Sequence, residues 1–206
     1  MRPLLLGSFV LLLALPVRAQ HEQHMKAAAA VPDSSTIELK IADVNVIDQS
    51  GTSRQFYSDL VKDRVVVMNF IFTSCTTVCP TMGATFARVQ KLLGNRDVAL
   101  ISISVDPLTD TPQRLEAWSR KLDAQPGWTL VTGSKTDIDR LLRSLGVFTP
   151  DKNSHTPTVL VGDAKRGTWR RASGLATPTA IVALVDAMVP AQHHHHHGAH
   201  AATSPR

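Results

Sequence analysis

Cysteine is scarce. The 206 residues hold two, too few for the disulfide framework of a small secreted domain, and Cys75 and Cys79 lie so close along the chain that they read as a site rather than a staple. No apolar run reaches the roughly 18 residues that a membrane-spanning helix needs, which excludes a polytopic membrane protein. Neither sign of charge dominates. The 22 basic and 17 acidic side chains leave +5, and the excess is scattered, so no nucleic-acid partner is expected. There is no internal repeat. What remains is 43% hydrophobic and 19% charged, an ordinary globular composition that excludes overall disorder and collagen.

The two ends differ from the body. Met1-Arg2, an apolar run from Leu4 to Leu15 and the exit Pro16-Val17-Arg18-Ala19 have the layout of a secretory signal peptide, expected at 1–19. An uncleaved, loosely anchored form is the alternative, and no cysteine follows the leader to carry a lipid. The mature protein is therefore expected outside the cytoplasm, in a bacterial periplasm, where thiols oxidise unless kept reduced. A polar and Ala-rich stretch at 20–32 reads as a flexible arm. At the other end, 191–206, five consecutive histidines from His193 to His197 and then His200 form a tail suited to weak binding of Cu(II), Ni(II) or Zn(II). It is read as natural in preference to a cloning artefact.

Residues 33–190 are expected to form one domain. Ile37, Leu39, Ile41 and Val44 to Ile47 imply early strands, and Val65 to Phe72 is a continuous apolar run of the kind buried on both faces of a sheet. A helix opening near Pro80 and ending at Gly94 follows. Next come a strand at Val98–Val105, a capped helix after Asp110-Thr111-Pro112, a strand at Trp128–Val131 and a helix at Thr136–Leu145. Strands at Thr158–Val161 and Thr168–Arg171 and a helix from Thr177-Pro178 to Met188 close the domain. This alternation implies an α/β thioredoxin-like fold, a central mixed sheet flanked by helices in three layers.

Cys75 and Cys79 fall between the first buried strand and its helix, at the carboxyl end of a strand, where open α/β sheets place their sites. A helix N-terminus favours negative charge, so one or both of these thiols are expected to lose protons more easily than a free thiol. Eight of the nine histidines lie in the two ends, which leaves His155 as the one imidazole available to a rigid site. It precedes a proline-then-strand segment, Pro157 to Val161, that thioredoxin-like folds set against their cysteine loop. Two thiolates and an imidazole would suit Cu(I) in trigonal geometry and could accept Cu(II) with an extra ligand. The alternatives are an inert disulfide, a zinc site with too few ligands, and His155 as a surface turn residue.

Three segments carry a resemblance. They are Phe72-Thr73-Ser74-Cys75-Thr76-Thr77-Val78-Cys79-Pro80, then Ser104-Val105-Asp106-Pro107-Leu108-Thr109-Asp110-Thr111-Pro112, then His155. Together they resemble the Sco/SenC/PrrC family of copper-binding thioredoxin-fold proteins. That resemblance implies copper, as Cu(I) or Cu(II), held by Cys75, Cys79 and His155, with Asp106 acting behind the ligands or simply as a turn residue at a helix entry. It also implies a role in building the binuclear copper centre of cytochrome c oxidase or a related respiratory copper enzyme. The expected partners are the copper-receiving subunit, a thiol reductant protein and another copper chaperone. Members often carry Pro after the first cysteine and Asp before the histidine, where this chain has Thr76 and Ser154. Two mechanisms share the site: a metallochaperone, or a thiol-disulfide oxidoreductase using Cys75 and Cys79. A peroxiredoxin is disfavoured because its active-site run is absent.

Overall fold

The computed structural model of the protein describes residues 34–189. The expected signal peptide and arm, and the His-rich tail, all lie outside the described residues. Two neighbouring apolar runs become parallel strands. β4 (Val65–Ile71) pairs with β5 (Val98–Ser104) along its whole length, from Val65 beside Val98 to Ile71 beside Ser104. Between them runs α1 (Val78–Leu93), and α2 (Pro112–Lys121) leads to β6 (Trp128–Thr132), which continues the parallel set. α3 (Lys135–Ser144) follows. β7 (Thr158–Asp163) returns antiparallel on the free edge of β4, and β8 (Thr168–Ser173) pairs with β7 before α4 (Pro178–Met188) closes the domain.

Three short strands complete the sheet at its edges, namely β1 (Ser35–Ile37), β2 (Asn45–Asp48) and β3 (Ser53–Gln55), giving the order β1-β8-β7-β4-β5-β6-β2-β3. Leu39 and Ile41 lie outside any strand but still pack against the core. β3 and the π-helical turn Phe56–Val61 have no counterpart in the expected element order.

Alternation along β4 divides the core. Val67 and Ile71 face α1, α2 and α4 through Phe86, Leu115, Trp118, Ile181 and Leu184, while Val66, Met68 and Phe70 face α3 and the π-helical turn through Phe56, Ile138 and Leu141. A sheet buried on both sides needs strands apolar on both sides, which is why β4 reads as an unbroken run. Full burial of side chains such as Phe86 or Leu141 contributes about 1.5–3 kcal/mol each. The mixed sheet between helical layers is the expected thioredoxin-like α/β architecture.

Strand register decides what meets at the site. The parallel pairing ends β4 and β5 side by side, and Val105 N–H donates to the Ile71 carbonyl at 2.9 Å. Because β7 runs antiparallel, with Asn69 beside Val159, its start lies at the same end. Three chain segments therefore emerge together: the cysteine loop after β4, the Asp106 loop after β5 and the His155 turn before β7.

At the opposite part of the β7–β8 pair, Gly162 faces Trp169, and a Cβ there would stand 2.2 Å from the nearest indole atom. Trp169 is buried and cannot swing into solvent. Gly162→Ala is expected to cost roughly 1–3 kcal/mol through overpacking, measured as a lower midpoint in urea; an unchanged midpoint would mean that the indole repacks freely.

Candidate dithiol and metal site

Most helices of this domain start on a side-chain cap. Thr111, Ser134 and Thr177 each accept a backbone N–H at the starts of α2, α3 and α4. α1 does not. Its N-cap residue, Thr77, makes no capping hydrogen bond, and the Cys79 N–H instead donates to the Cys75 sulfur at 3.5 Å. The first sulfur thus occupies the place of a cap, where unsatisfied N–H groups favour negative charge.

The two thiols separate electrostatically. Partial burial pushes the Cys75 thiol up, but the Cys79 N–H, the Thr77 hydroxyl at 3.6 Å and the Cys79 thiol outweigh it and lower its pKa from 9.0 to about 7. Cys79 is fully buried. Burial raises its pKa to about 12, opposed by the Phe72 backbone and reinforced by the charges of Cys75 and Asp110. Both cysteines are free thiols, so the inert-disulfide alternative is not the state described here.

His155 is 8% exposed, which removes its reading as a surface turn residue. It follows a 3₁₀ turn, Lys152–Ser154, that Asp151 caps by accepting from the Asn153 N–H at 3.0 Å. His155 Nδ1 lies 2.8 Å from the Lys152 carbonyl, which can only accept, so the neutral ring carries its proton on Nδ1 and keeps a lone pair on Nε2. That Nε2 is buried and has no partner. An unpartnered buried nitrogen lone pair fits a soft or borderline metal ion.

Phe72 connects the parts. Its ring packs edge-on against His155 with centroids 5.9 Å apart, its carbonyl accepts the Cys75 N–H at 3.1 Å, and it shares the buried cluster that holds Cys79. Even so, among the described residues no three His, Cys, Asp or Glu side chains are gathered closely enough to hold a metal ion. The donors are neighbours but are not closed around one point.

Two acids after β5 support the site from either side. Asp110, one residue before the cap of α2, turns inward. It accepts the Thr73 hydroxyl at 2.6 Å, the Thr73 N–H at 3.1 Å and the Ser104 hydroxyl at 2.6 Å. Thr111 is the actual cap. Asp106 does not reach the cysteine loop by any hydrogen bond among the described residues. It pairs with Lys152 at 2.5 Å, and its own carbonyl accepts the Thr109 and Asp110 N–H groups, as a turn residue does. Phe72, Thr73, Asp110 and Lys152 were not singled out from the sequence. Phe72, Thr73 and Asp110 lie within the two long motifs, which could have flagged them, whereas nothing local marks Lys152.

An asymmetric pair of thiols at an open helix start, on the carboxyl end of a thioredoxin-like sheet, defines a thioredoxin-like dithiol protein. The SCO1/SenC family model matches residues 38–189, and the chain belongs to that family. The SCO1 protein homolog of Bacillus subtilis is 39% identical over 95 residues, covering 44% of this chain and 49% of its own. The chain spans about half the length of the curated relatives it matches. Among solved structures, ScoI of Bradyrhizobium japonicum with copper bound is 25% identical, with a TM-score of 0.61 over 72% of this chain and 98% of its own. BsSco, a member of the Sco family of cytochrome c oxidase assembly proteins with an identified disulfide switch, is also 25% identical. Its TM-score is 0.64 over 74% of this chain and 95% of its own.

The thiol asymmetry is directly measurable. Alkylation of the reduced chain by iodoacetamide should occur first at Cys75, with a rate that rises through a midpoint near pH 7 as the thiolate forms, while Cys79 stays protected to far higher pH. Equal reactivity of the two thiols, or a Cys75 midpoint near 9, would contradict the assignment.

Proposed function

We propose that this chain is a copper-binding metallochaperone of the periplasm that helps assemble the binuclear copper centre of cytochrome c oxidase or a related respiratory copper enzyme. The observation that carries this reading is the contact of Phe72 with Cys75, Cys79 and His155 together, with the His155 Nε2 lone pair buried and free. Copper in the Bradyrhizobium japonicum relative and the oxidase-assembly family of BsSco support it. Copper is cargo here. The reduced dithiol takes the ion, a small movement of the His155 turn completes the ligand set, and the ion passes to the receiving subunit by exchange of one ligand at a time. A thiol reductant keeps the pair reduced, and another copper chaperone supplies the ion. Among the described residues no helix is long and apolar enough to cross a membrane.

The thiol asymmetry favours a second reading, a thiol-disulfide oxidoreductase. The Cys75 thiolate attacks one sulfur of a partner disulfide and expels the other as thiolate. Cys79 then loses its proton and displaces the partner from the mixed disulfide. A Cys75–Cys79 disulfide forms, and two electrons have passed to the partner.

The readings part at His155. In the full chain with the tail histidines replaced by alanine, one Cu(I) or Cu(II) should bind, with Cys75→Ser, Cys79→Ser and His155→Ala each weakening it by roughly 100-fold or more. His155→Ala should leave disulfide exchange close to the unsubstituted rate. Copper binding that survives all three substitutions would overturn the carrier reading, and rapid exchange without copper binding would favour the reductase.

A further inference from the structure

The His155 turn is short and sits on a cleft. Asp151 caps it locally, but those hydrogen bonds stay within four consecutive residues and do not fix the turn relative to the sheet. A cleft of about 230 Å³ separates the turn from the loop after β5, with Leu108, Leu142 and Thr149 among its walls. Across it, the Lys152 Nζ pairs with Asp106 Oδ2 at 2.5 Å. Lys135 and Asp139 also line the cleft but are paired with each other.

Both partners are anchored. The Asp106 N–H donates to the Ser104 hydroxyl at 3.0 Å, and the Asp106 carbonyl accepts two N–H groups of its own loop. Lys152 Nζ also lies 5.2 Å above the Phe72 ring, the same ring that packs on His155. The Asp106 side chain is 11% exposed and that of Lys152 33%. Such a pair is better defined and less screened than one on open surface.

We propose that Lys152, held by Asp106, is the positioning residue for His155. The ion pair fixes the Lys152 backbone, and the Lys152 carbonyl then accepts the hydrogen bond from Nδ1–H. Nε2 is thereby left as a lone-pair donor aimed into the interior beside Phe72. Lys152 touches no cargo and acts through the imidazole. This deepens the copper reading and rests on it for the identity of the ion that Nε2 receives, whereas the orientation of the ring is a property of the copper-free protein.

The test uses the full chain with its tail histidines replaced by alanine and reads two quantities. Nitrogen-15 NMR of the copper-free protein should give His155 a single Nδ1–H tautomer in the unsubstituted chain. Lys152→Met and Asp106→Asn, which keep the Lys152 carbonyl, should give mixed tautomers. Cu(II) titration should show roughly 10-fold weaker binding in each, as expected for a partner behind a ligand, and no further loss when the two are combined. Lys152→Arg should restore both signals, which a merely structural role would not require. A single tautomer and unchanged affinity in Lys152→Met would overturn the proposal. Failure of the unsubstituted chain to bind copper would strike the copper reading alone, since the copper-free tautomer signal still decides the role of Lys152.

Discussion

One buried acid holds the cysteine loop in place. Asp110 is 1% exposed, and its carboxyl oxygens are filled by the hydroxyl and N–H of Thr73 and by the hydroxyl of Ser104. A charge taken out of water is tolerated only when its oxygens are satisfied, and removal of a partner would leave an uncompensated group in the interior. Since Thr73 stands two residues before Cys75, this contact sets where the cysteine loop leaves β4. It also places negative charge near Cys79, which helps keep that thiol protonated while Cys75 ionises.

The parallel strands make the contact available. With β4 and β5 in full register, the residues following each are neighbours, and the antiparallel return of β7 brings the His155 turn to the same end. The loop after β5 thus reaches both ways, through Asp110 to the cysteines and through Asp106 to the histidine turn. α1 adds its own bias. Its missing side-chain cap leaves N–H groups for sulfur, so the local electrostatics favour thiolate at Cys75 whether the partner is a metal ion or a disulfide. A carrier and a reductase need the same first step, a ready thiolate, and the imidazole distinguishes them.

Much of this could be read along the chain. β4 and β5 announce themselves as apolar runs, the helices as periodic segments with caps, and Cys75 and Cys79 as a close pair between strand and helix. His155 stood out by elimination. Other features left no local trace. β3, Ser53-Arg54-Gln55, is exposed throughout and carries no hydrophobic signature, whereas Leu39 and Ile41 are apolar because they pack on the core, not because they form a strand. Asp110 beside a Thr-Pro helix start shows nothing of its role until the fold brings Thr73 to it across 37 positions. The pairing of Lys152 with Asp106 spans 46 positions and has no periodicity to betray it.

In the copper reading, two sulfurs and one ring nitrogen share a single ion. X-ray absorption at the copper edge, on the full chain with alanine in place of the tail histidines and one equivalent of copper, tests this most directly. Two sulfur neighbours and one imidazole nitrogen are expected, with the nitrogen lost in His155→Ala. An imidazole signal that persists in that variant, or a shell with fewer than two sulfurs, would contradict it.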